Sequence, residues 1–214
     1  ADRAPCRHHG LQGRICGDRD NKGTVMKLAI IERDGIVGQP VTGQLTGHHD
    51  WHVLPDAASG IARLNLSGWH VVLVANQPGL ERGLYDCAAL NDYHRQMYKD
   101  LAMVGAKVDA VFFCPHAPED HCECWAPQAA LLRQITERFN TEAGKVAVVA
   151  RSTELLQAAA SLGACLHWIA PADAATAHPQ CPSAQAAQHA TLAQCTEVLL
   201  HWQPPKSPSQ LAAA

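Results

Sequence analysis

The sequence predicts an α/β fold in which a parallel sheet of about five strands is covered by helices on both faces. Short apolar runs alternate along the chain with longer segments whose apolar residues recur every three or four positions. Several of the short runs end abruptly in polar or charged residues, which is typical of buried parallel strands that reach the ligand-binding edge of a sheet. We therefore expect right-handed crossovers between successive strands.

The composition favours a soluble globular protein. The chain has 214 residues, of which 47% are hydrophobic and 17% are charged, and its net charge is -3. This balance does not indicate a basic surface for nucleic acid or for an anionic membrane, so neither is expected as a partner. No apolar run approaches the ~20 residues needed to cross a bilayer. We expect a cytoplasmic monomer whose nine cysteines are largely reduced, because the chain is too rich in core residues for a disulfide scaffold.

The first strand is predicted at residues 28–31, within the stretch KLAIIERDG. Its apolar run ends in charged residues, among them Glu32 and Asp34, which are spaced by two. At the carboxyl end of a buried strand, both carboxylates are expected at the mouth of a ligand crevice. The alternative interpretation is an ordinary charged loop that follows a strand.

The remaining elements follow from the same two patterns. After a loop rich in Gly, Thr and His, Asp56 is expected to cap a helix that Gly68 ends. Helices are predicted from three- and four-residue apolar spacing at residues 56–66, 86–104, 129–139, 153–162 and 190–202. Strands are predicted from short apolar runs at residues 69–75, 108–114, 145–150 and 165–169. Residues 170–183 are expected to form a loop.

The two ends of the chain lack these patterns. Residues 1–25 are predicted to be a disordered arm and residues 203–214 a disordered tail, which leaves one domain at residues 26–202. Met26 directly precedes the first strand, so a start site at Met26, with the preceding segment a tag or an upstream read-through, is one open interpretation, and a native arm is the other. A second metal site at Cys6, His8, His9 and Cys16 is conceivable, but the spacing matches no common pattern.

The strongest motif is CPHAPEDHCEC, which directly follows the third predicted strand. Its three thiolates and one imidazole can close a tetrahedron around Zn²⁺ and leave no position for water, so the site would be structural. The predicted ligands are Cys114, His116, Cys122 and Cys124. His121 is a competing ligand, and unligated cysteines in a polar loop are the alternative.

Taken in order, the strand-end motifs ExDG, ANQPG, CPH…CEC and VVARS resemble those of a known family. The chain looks like the histidinol and D-glycero-D-manno-heptose 1,7-bisphosphate phosphatases of the haloacid dehalogenase superfamily. The resemblance covers about residues 26–169, and its most specific parts are the zinc loop and NQPGLERG, where the family has NQSGIARG. It implies a Rossmann-like sheet without a large cap domain, and hydrolysis of sugar phosphates through Mg²⁺ and an aspartyl-phosphate.

The resemblance assigns roles to residues of this chain. The nucleophilic Asp of the family falls on Glu32, whose side chain is one methylene longer, and the general acid/base falls on Asp34. Substrate recognition falls on Asn76, Gln77 and Arg82, which all match.

Other positions depart from the family pattern. A hydroxyl that binds the phosphoryl group is replaced by Ala75, and a lysine that neutralises it by Ala126. An aspartate that binds Mg²⁺ is replaced by Arg151, whose fixed charge opposes a cation. We expect Arg151 to pair with Glu32 or Asp34 in place of the metal.

These departures predict a pseudophosphatase that binds a phosphorylated sugar or a protein partner. An active Mg²⁺-dependent phosphatase that uses Glu32 as its nucleophile is the alternative, and a folded relic without a ligand stays open. A zinc-dependent hydrolase is disfavoured because the predicted zinc site is closed. Zn²⁺ is therefore the expected structural cofactor, and Mg²⁺ is a cofactor of the family.

Overall fold

The computed structural model describes residues 26–40, 45, 50–54, 56–170 and 183–202. The arm and tail predicted at residues 1–25 and 203–214, and the second metal site considered on the arm, lie outside the described residues. So does most of the loop predicted at residues 170–183.

The strands form one parallel sheet in the order β3-β2-β1-β4-β5-β6. Their bounds are β1 (Lys27–Glu32), β2 (Trp69–Asn76), β3 (Ala110–Cys114), β4 (Val146–Ala150), β5 (Cys165–Ile169) and β6 (Ala187–His189). The predicted fold class is confirmed, and all five predicted strands are present. The sixth strand was missed because β6 is only three residues long and its sequence, AQH, has no apolar run.

Within the described residues, six α-helices connect and cover the strands. They are α1 (Ala57–Leu66), α2 (Pro78–Glu81), α3 (Cys87–Met103), α4 (Ala130–Arg138), α5 (Thr153–Ser161) and α6 (Leu192–His201). The one-turn helix α2 was not predicted. Asp86 is the N-cap of α3, and its carboxylate accepts a hydrogen bond from the backbone N–H of Ala89.

Asp56 occupies the N-cap position of α1, as predicted, but its side chain does not cap the helix. Asp56 precedes the helix in a left-handed conformation, with φ 65°, and its side chain makes no capping hydrogen bond. At the other end, Gly68 adopts φ 80°, the conformation that lets the chain leave a helix.

The helices bury apolar side chains against both faces of the sheet. Ile31 and Leu73 lie in one core with the inner faces of α1, α3 and α6, whereas Ile30 and Val72 lie in the other with α4 and α5. Alternate residues of each strand point to opposite faces, so the buried parts of the central strands, residues 28–31, 71–75 and 146–150, are apolar on both faces. None of the helices in the described part of the chain is long and apolar enough to cross a membrane.

A candidate active-site cleft and metal-binding loop

The carboxyl ends of β1, β2 and β3 bring the predicted site residues to one edge of the sheet. The register pairs Glu32 with Val74, and Asn76 with Cys114. Two further backbone bonds extend the pairing beyond the strands, from Arg33 N to Val74 O at 2.8 Å and from Gln77 N to Cys114 O at 2.7 Å. The strand-end carboxylates and the first cysteine of the predicted zinc loop therefore lie on one side of the molecule.

Glu32 is held by the backbone at the start of α5. Its Oε2 accepts hydrogen bonds from the N–H of Arg151 at 2.7 Å and of Ser152 at 2.9 Å. Ser152 is the N-cap of α5, so the carboxylate lies where the unpaired N–H groups of a helix favour an anion. Burial raises the pKa of Glu32, and these two hydrogen bonds oppose that rise without cancelling it.

Asp34 is bound by its own neighbour, Arg33. The guanidinium donates from Nε to Oδ1 at 2.8 Å and from Nη2 to Oδ2 at 3.0 Å. Arg33 also donates from Nη1 to Nε2 of His94 at 2.9 Å, and its guanidinium lies 5.0 Å from the centre of the Tyr93 ring. Because arginine only donates, His94 Nε2 is the acceptor and the ring proton is assigned to Nδ1.

Burial and the positive charge of Arg33 shift the pKa values of the neighbouring His94 and Tyr93. The pKa of His94 is lowered to about 3, mainly by burial and to a smaller extent by the positive charge of Arg33. Burial also raises the pKa of Tyr93 to about 12, although the positive charge of Arg33 opposes this rise. At neutral pH both rings are therefore uncharged beside the buried guanidinium.

The expectation that Arg151 supplies the counter-charge for Glu32 or Asp34 is wrong. The Arg151 side chain donates from Nη1 to the carbonyl oxygen of Gly35 at 3.2 Å, and only its backbone N–H binds Glu32. A Cβ at Gly35, whose φ is +78°, would lie 3.1 Å from Arg151 Cδ, so a glycine is required there. Arg33, the neighbour of Asp34 in sequence, supplies the counter-charge for Asp34. The Arg151 side chain instead packs over the turn at Gly35.

A small cleft opens beside Glu32. Its volume is about 30 Å³, which is room for about two water molecules. Its side chains are mostly apolar or neutral, and they come from Glu32, Val74, Ala75, Asn76, Cys124, Ala126, Gln128, Leu131, Leu132, Ser152 and Leu155. Ala75 and Ala126, where the family pattern has a hydroxyl and a lysine, both face this cleft.

The three predicted substrate-binding residues occupy different environments. Asn76 is exposed and lines the cleft. Gln77 is buried, and its Oε1 accepts a hydrogen bond from the hydroxyl of Tyr85 at 2.7 Å. Arg82 lies at the surface beyond α2 and donates to Glu119 at 3.0 Å. The structure therefore places only Asn76 of these three on the cleft with Glu32.

The four residues predicted as zinc ligands are brought together by the loop that follows β3. Distances of 3.2 to 3.7 Å separate the Sγ and Nδ1 atoms of neighbouring pairs among Cys114, His116, Cys122 and Cys124. Zn–S bonds of ~2.3 Å give tetrahedron edges of about 3.8 Å, so these donors fit a zinc ion with little movement. Burial raises the pKa of the Cys114 thiol, and a bound metal would favour its thiolate.

Only one of the two histidines in this loop belongs to the cluster. His116 Nδ1 lies within reach of the three thiols, whereas His121 is exposed at the end of a short 3₁₀ turn, Pro118–Asp120. The Asp120 carboxylate accepts from the N–H of Ala117 at 2.8 Å and folds this turn back on itself. The cluster also borders the cleft, because Cys124 lines both.

Relatives with known names resemble this chain over most of their length. The D-glycero-beta-D-manno-heptose-1,7-bisphosphate 7-phosphatase of Bordetella bronchiseptica is 43% identical over 144 residues, which are 67% of this chain and 80% of the relative. The chain belongs to this phosphatase family. The Pseudomonas aeruginosa enzyme of the same name is 34% identical over 132 residues, 62% of this chain and 74% of the relative. No protein-family model matches the chain.

Solved structures of heptose-bisphosphate phosphatases also have this fold. The crystal structure of the B. bronchiseptica protein, complexed with magnesium and phosphate, superposes with a TM-score of 0.75 and 37% identity. It covers 82% of this chain and 98% of that one. The Burkholderia thailandensis phosphatase gives a TM-score of 0.62 at 30% identity over 82% of this chain and 99% of that one.

Two groups of polar residues were not predicted from the sequence. Arg33 and His94 form the buried cation network, and the signal for Arg33 was its position between two acids, Glu32 and Asp34. The second group is His167, His189 and Cys195, whose donor atoms lie close together near β5 and β6, on the opposite side of the strand order from β3. Its members are too far apart in sequence to form a recognisable motif.

Proposed function

We propose that this chain is a non-hydrolysing member of the heptose-bisphosphate phosphatase family, which binds a phosphorylated sugar without cleaving it. The observation that carries the proposal is the hydrogen bonding of the Glu32 carboxylate. One of its carboxylate oxygens accepts two backbone hydrogen bonds, from Arg151 and Ser152. An oxygen whose lone pairs are directed at two donors is a weaker nucleophile than a free carboxylate oxygen.

The surroundings of Glu32 also do not fit Mg²⁺. This ion requires octahedral oxygen ligands and is usually held by one or two carboxylates together with phosphate oxygens. Among the described residues that line the cleft, the other side-chain oxygens are neutral and belong to Asn76, Gln128 and Ser152. Asp34 is already bound at two points by Arg33. We derive no catalytic step through magnesium in this chain.

Phosphoryl transfer further depends on groups that neutralise the transferred phosphoryl. Ala75 and Ala126 face the cleft and can supply neither a hydroxyl nor a positive charge. The longer side chain of Glu32 adds to these losses, since misplacing the attacking atom by about 1 Å can cost on the order of 10²-fold in rate.

Retained residues at the same edge support ligand binding. Asn76 lines the cleft, and Arg82 lies at the surface with its guanidinium bound to Glu119 of the zinc loop. A phosphate group is a stronger partner for arginine than an exposed carboxylate, so a ligand can replace Glu119 at Arg82. A phosphorylated sugar is therefore preferred over a protein partner.

The test combines turnover with binding. Phosphate release from heptose 1,7-bisphosphate and from p-nitrophenyl phosphate is measured with and without Mg²⁺, for the unmodified chain, for Glu32→Asp, and for Glu32→Asp with Ala126→Lys and Arg151→Asp. We expect background rates for the first two proteins and Mg²⁺-dependent turnover for the third. Calorimetry is expected to show heptose bisphosphate binding that weakens in Arg82→Ala.

Two outcomes would contradict the proposal in different ways. Mg²⁺-dependent turnover by the unmodified chain that disappears in Glu32→Gln would make Glu32 a working nucleophile. This is the second candidate function, and the position of Glu32 at the end of β1 favours it. Absence of both turnover and sugar binding in folded, zinc-loaded protein would instead favour a protein partner.

A further inference from the structure

We propose that His167, His189 and Cys195 form a second metal site, which binds a thiophilic cation such as Zn²⁺ or Cu⁺ at the edge of the sheet opposite the zinc loop. The three side chains offer one donor atom each, and these atoms all lie within 4.8 Å of one another. His167 Nδ1 lies 3.0 Å from His189 Nε2, near the ~3.3 Å edge that two Zn–N bonds of ~2.05 Å define in a tetrahedron.

Each donor comes from a different element. His167 lies in the middle of β5, His189 is the last residue of β6, and Cys195 lies in the first turns of α6. Parallel pairing of β5 with β6 sets Ile169 opposite His189. The imidazoles of His167 and His189 meet through their nitrogens, with ring centres 5.3 Å apart and planes 22° apart. A bound ion would therefore link an edge strand of three residues to the strand and helix beside it.

The site is buried in a way that favours metal binding. His167, His189 and Cys195 are 2%, 7% and 0% exposed, respectively, and Cys195 belongs to the apolar core beneath α6. His167 Nδ1 and His189 Nε2 lie at hydrogen-bond distance, and a bound ion would replace that bond with coordination of both nitrogens. Two imidazoles and one thiolate suit zinc and copper, whereas they are poor ligands for Mg²⁺ or Ca²⁺.

A fourth residue is placed to orient the first ligand. Cys165 Sγ lies 3.5 Å from Nε2 of His167, on the opposite side of the ring from Nδ1. An Nε2–H that donates to this sulfur leaves the Nδ1 lone pair directed at the site. Such outer hydrogen bonds fix the tautomer of histidines that bind metals. Cys165 is thus a positioning residue and does not ligate the same ion.

This site is separate from the zinc cluster. Cys114 ends β3 and His167 lies in β5, and three strands, β2, β1 and β4, lie between them. Four strand spacings amount to about 19 Å, so no side chain can serve both sites. Binding at the second site deprotonates Cys195, and the released proton goes to solvent.

The test is a metal count on the full chain. Protein freed of metal under reducing conditions is dialysed against Zn²⁺ or, in a parallel arm, against Cu⁺ held by a competing chelator, and bound metal is measured by mass spectrometry. We expect Cys195→Ser and His189→Gln each to lose one equivalent relative to the unmodified chain. Cys124→Ser is expected to lose a different equivalent, so that Cys124→Ser with Cys195→Ser loses both.

Co²⁺ provides a second readout that does not depend on total content. In the Cys124→Ser background, Co²⁺ should show a thiolate charge-transfer band whose intensity falls when Cys195→Ser is added, whereas any band from Cys114 and Cys122 is unaffected. Circular dichroism checks folding, and His189→Gln, at the end of the edge strand, tests the site without altering the apolar cluster that contains Cys195. Unchanged metal content in both Cys195→Ser and His189→Gln, in both arms, would overturn the proposal.

Discussion

The guanidinium of Arg33 forms a two-point ion pair with the carboxylate of Asp34, with distances of 2.8 and 3.0 Å. Arg33 is fully buried, whereas the Asp34 side chain is 22% exposed. Burial of a guanidinium is costly unless its donors are paired. Asp34, His94 and the face of Tyr93 together surround this cation, which makes the network a structural requirement next to the candidate site.

Replacement of Arg33 by methionine should therefore destabilise the protein. The variant leaves Asp34 without its partner and removes the contact with Tyr93, and breaking such a pair costs about 3 kcal/mol of unfolding free energy. Urea denaturation measures the change. Arg95→Met is the matched control, because the Arg95 side chain is 75% exposed and its removal should have little effect. Equal stabilities of the two variants would show that the buried network is not needed.

His94 should make the free energy of unfolding decrease at acidic pH. The pKa of His94 is lowered from 6.5 to about 3 in the folded protein, so between these pH values the unfolded chain binds a proton that the folded protein does not. Stability present above pH 6.5 is therefore lost as the pH falls toward 3, by up to about 1.4 kcal/mol per pH unit.

His94→Gln should flatten this dependence, because its amide oxygen accepts from Arg33 without titrating. The measurement is the free energy of unfolding at several pH values from 4 to 7.5, in each case relative to the unmodified chain. His201→Gln, at the exposed end of α6, controls for removal of a histidine. Parallel pH curves for His94→Gln and the unmodified chain would contradict the assignment.

Removal of zinc should loosen the loop after β3. Loss of the ion from Cys114, His116, Cys122 and Cys124 leaves a loop with few apolar contacts, and the midpoint of thermal unfolding should fall by roughly 5–10 °C. Chelation under reducing conditions, followed by calorimetry, measures the effect. Zinc added back in stoichiometric amount should restore the midpoint.

The two histidines of that loop form a matched pair. His116→Ala should weaken zinc binding strongly, whereas His121→Ala should leave it unchanged, because His121 is exposed and outside the cluster. Competition with a chromogenic chelator gives both affinities. The reverse order would identify His121 as the ligand.

Glu32→Gln should become more stabilising as the pH rises. The folded pKa of Glu32 is raised above 4.5, so the folded protein keeps this proton at pH values where the unfolded chain has lost it. The unmodified chain therefore loses stability as the pH rises from 4.5 through the folded pKa, whereas the amide, which still accepts from Arg151 and Ser152, does not titrate.

The difference in unfolding free energy between Glu32→Gln and the unmodified chain, measured from pH 4 to 8, tests this expectation. Glu154→Gln is the control, since Glu154 is an exposed carboxylate in the first turn of α5. A difference that shrinks with rising pH would mean that the two backbone hydrogen bonds outweigh burial.

The sequence by itself determined the elements and the family. Apolar runs and three- to four-residue spacing identified five strands and five long helices. A buried strand or an amphipathic helix gives a pattern within a short stretch of sequence, so it can be recognised there. The Cys/His cluster of CPH and CEC was likewise predictable from the sequence, because its four residues lie within one loop. The edge strand β6 was not readable, because three residues with two exposed side chains carry no pattern.

Only the tertiary structure decided which groups meet. It paired Asp34 with Arg33 instead of Arg151, and it directed the backbone of Arg151 and Ser152 at Glu32 across more than a hundred residues. It also brought His167, His189 and Cys195 together from three elements. These contacts depend on strand order and register, which arise from packing of the whole chain and leave no local signal in the sequence.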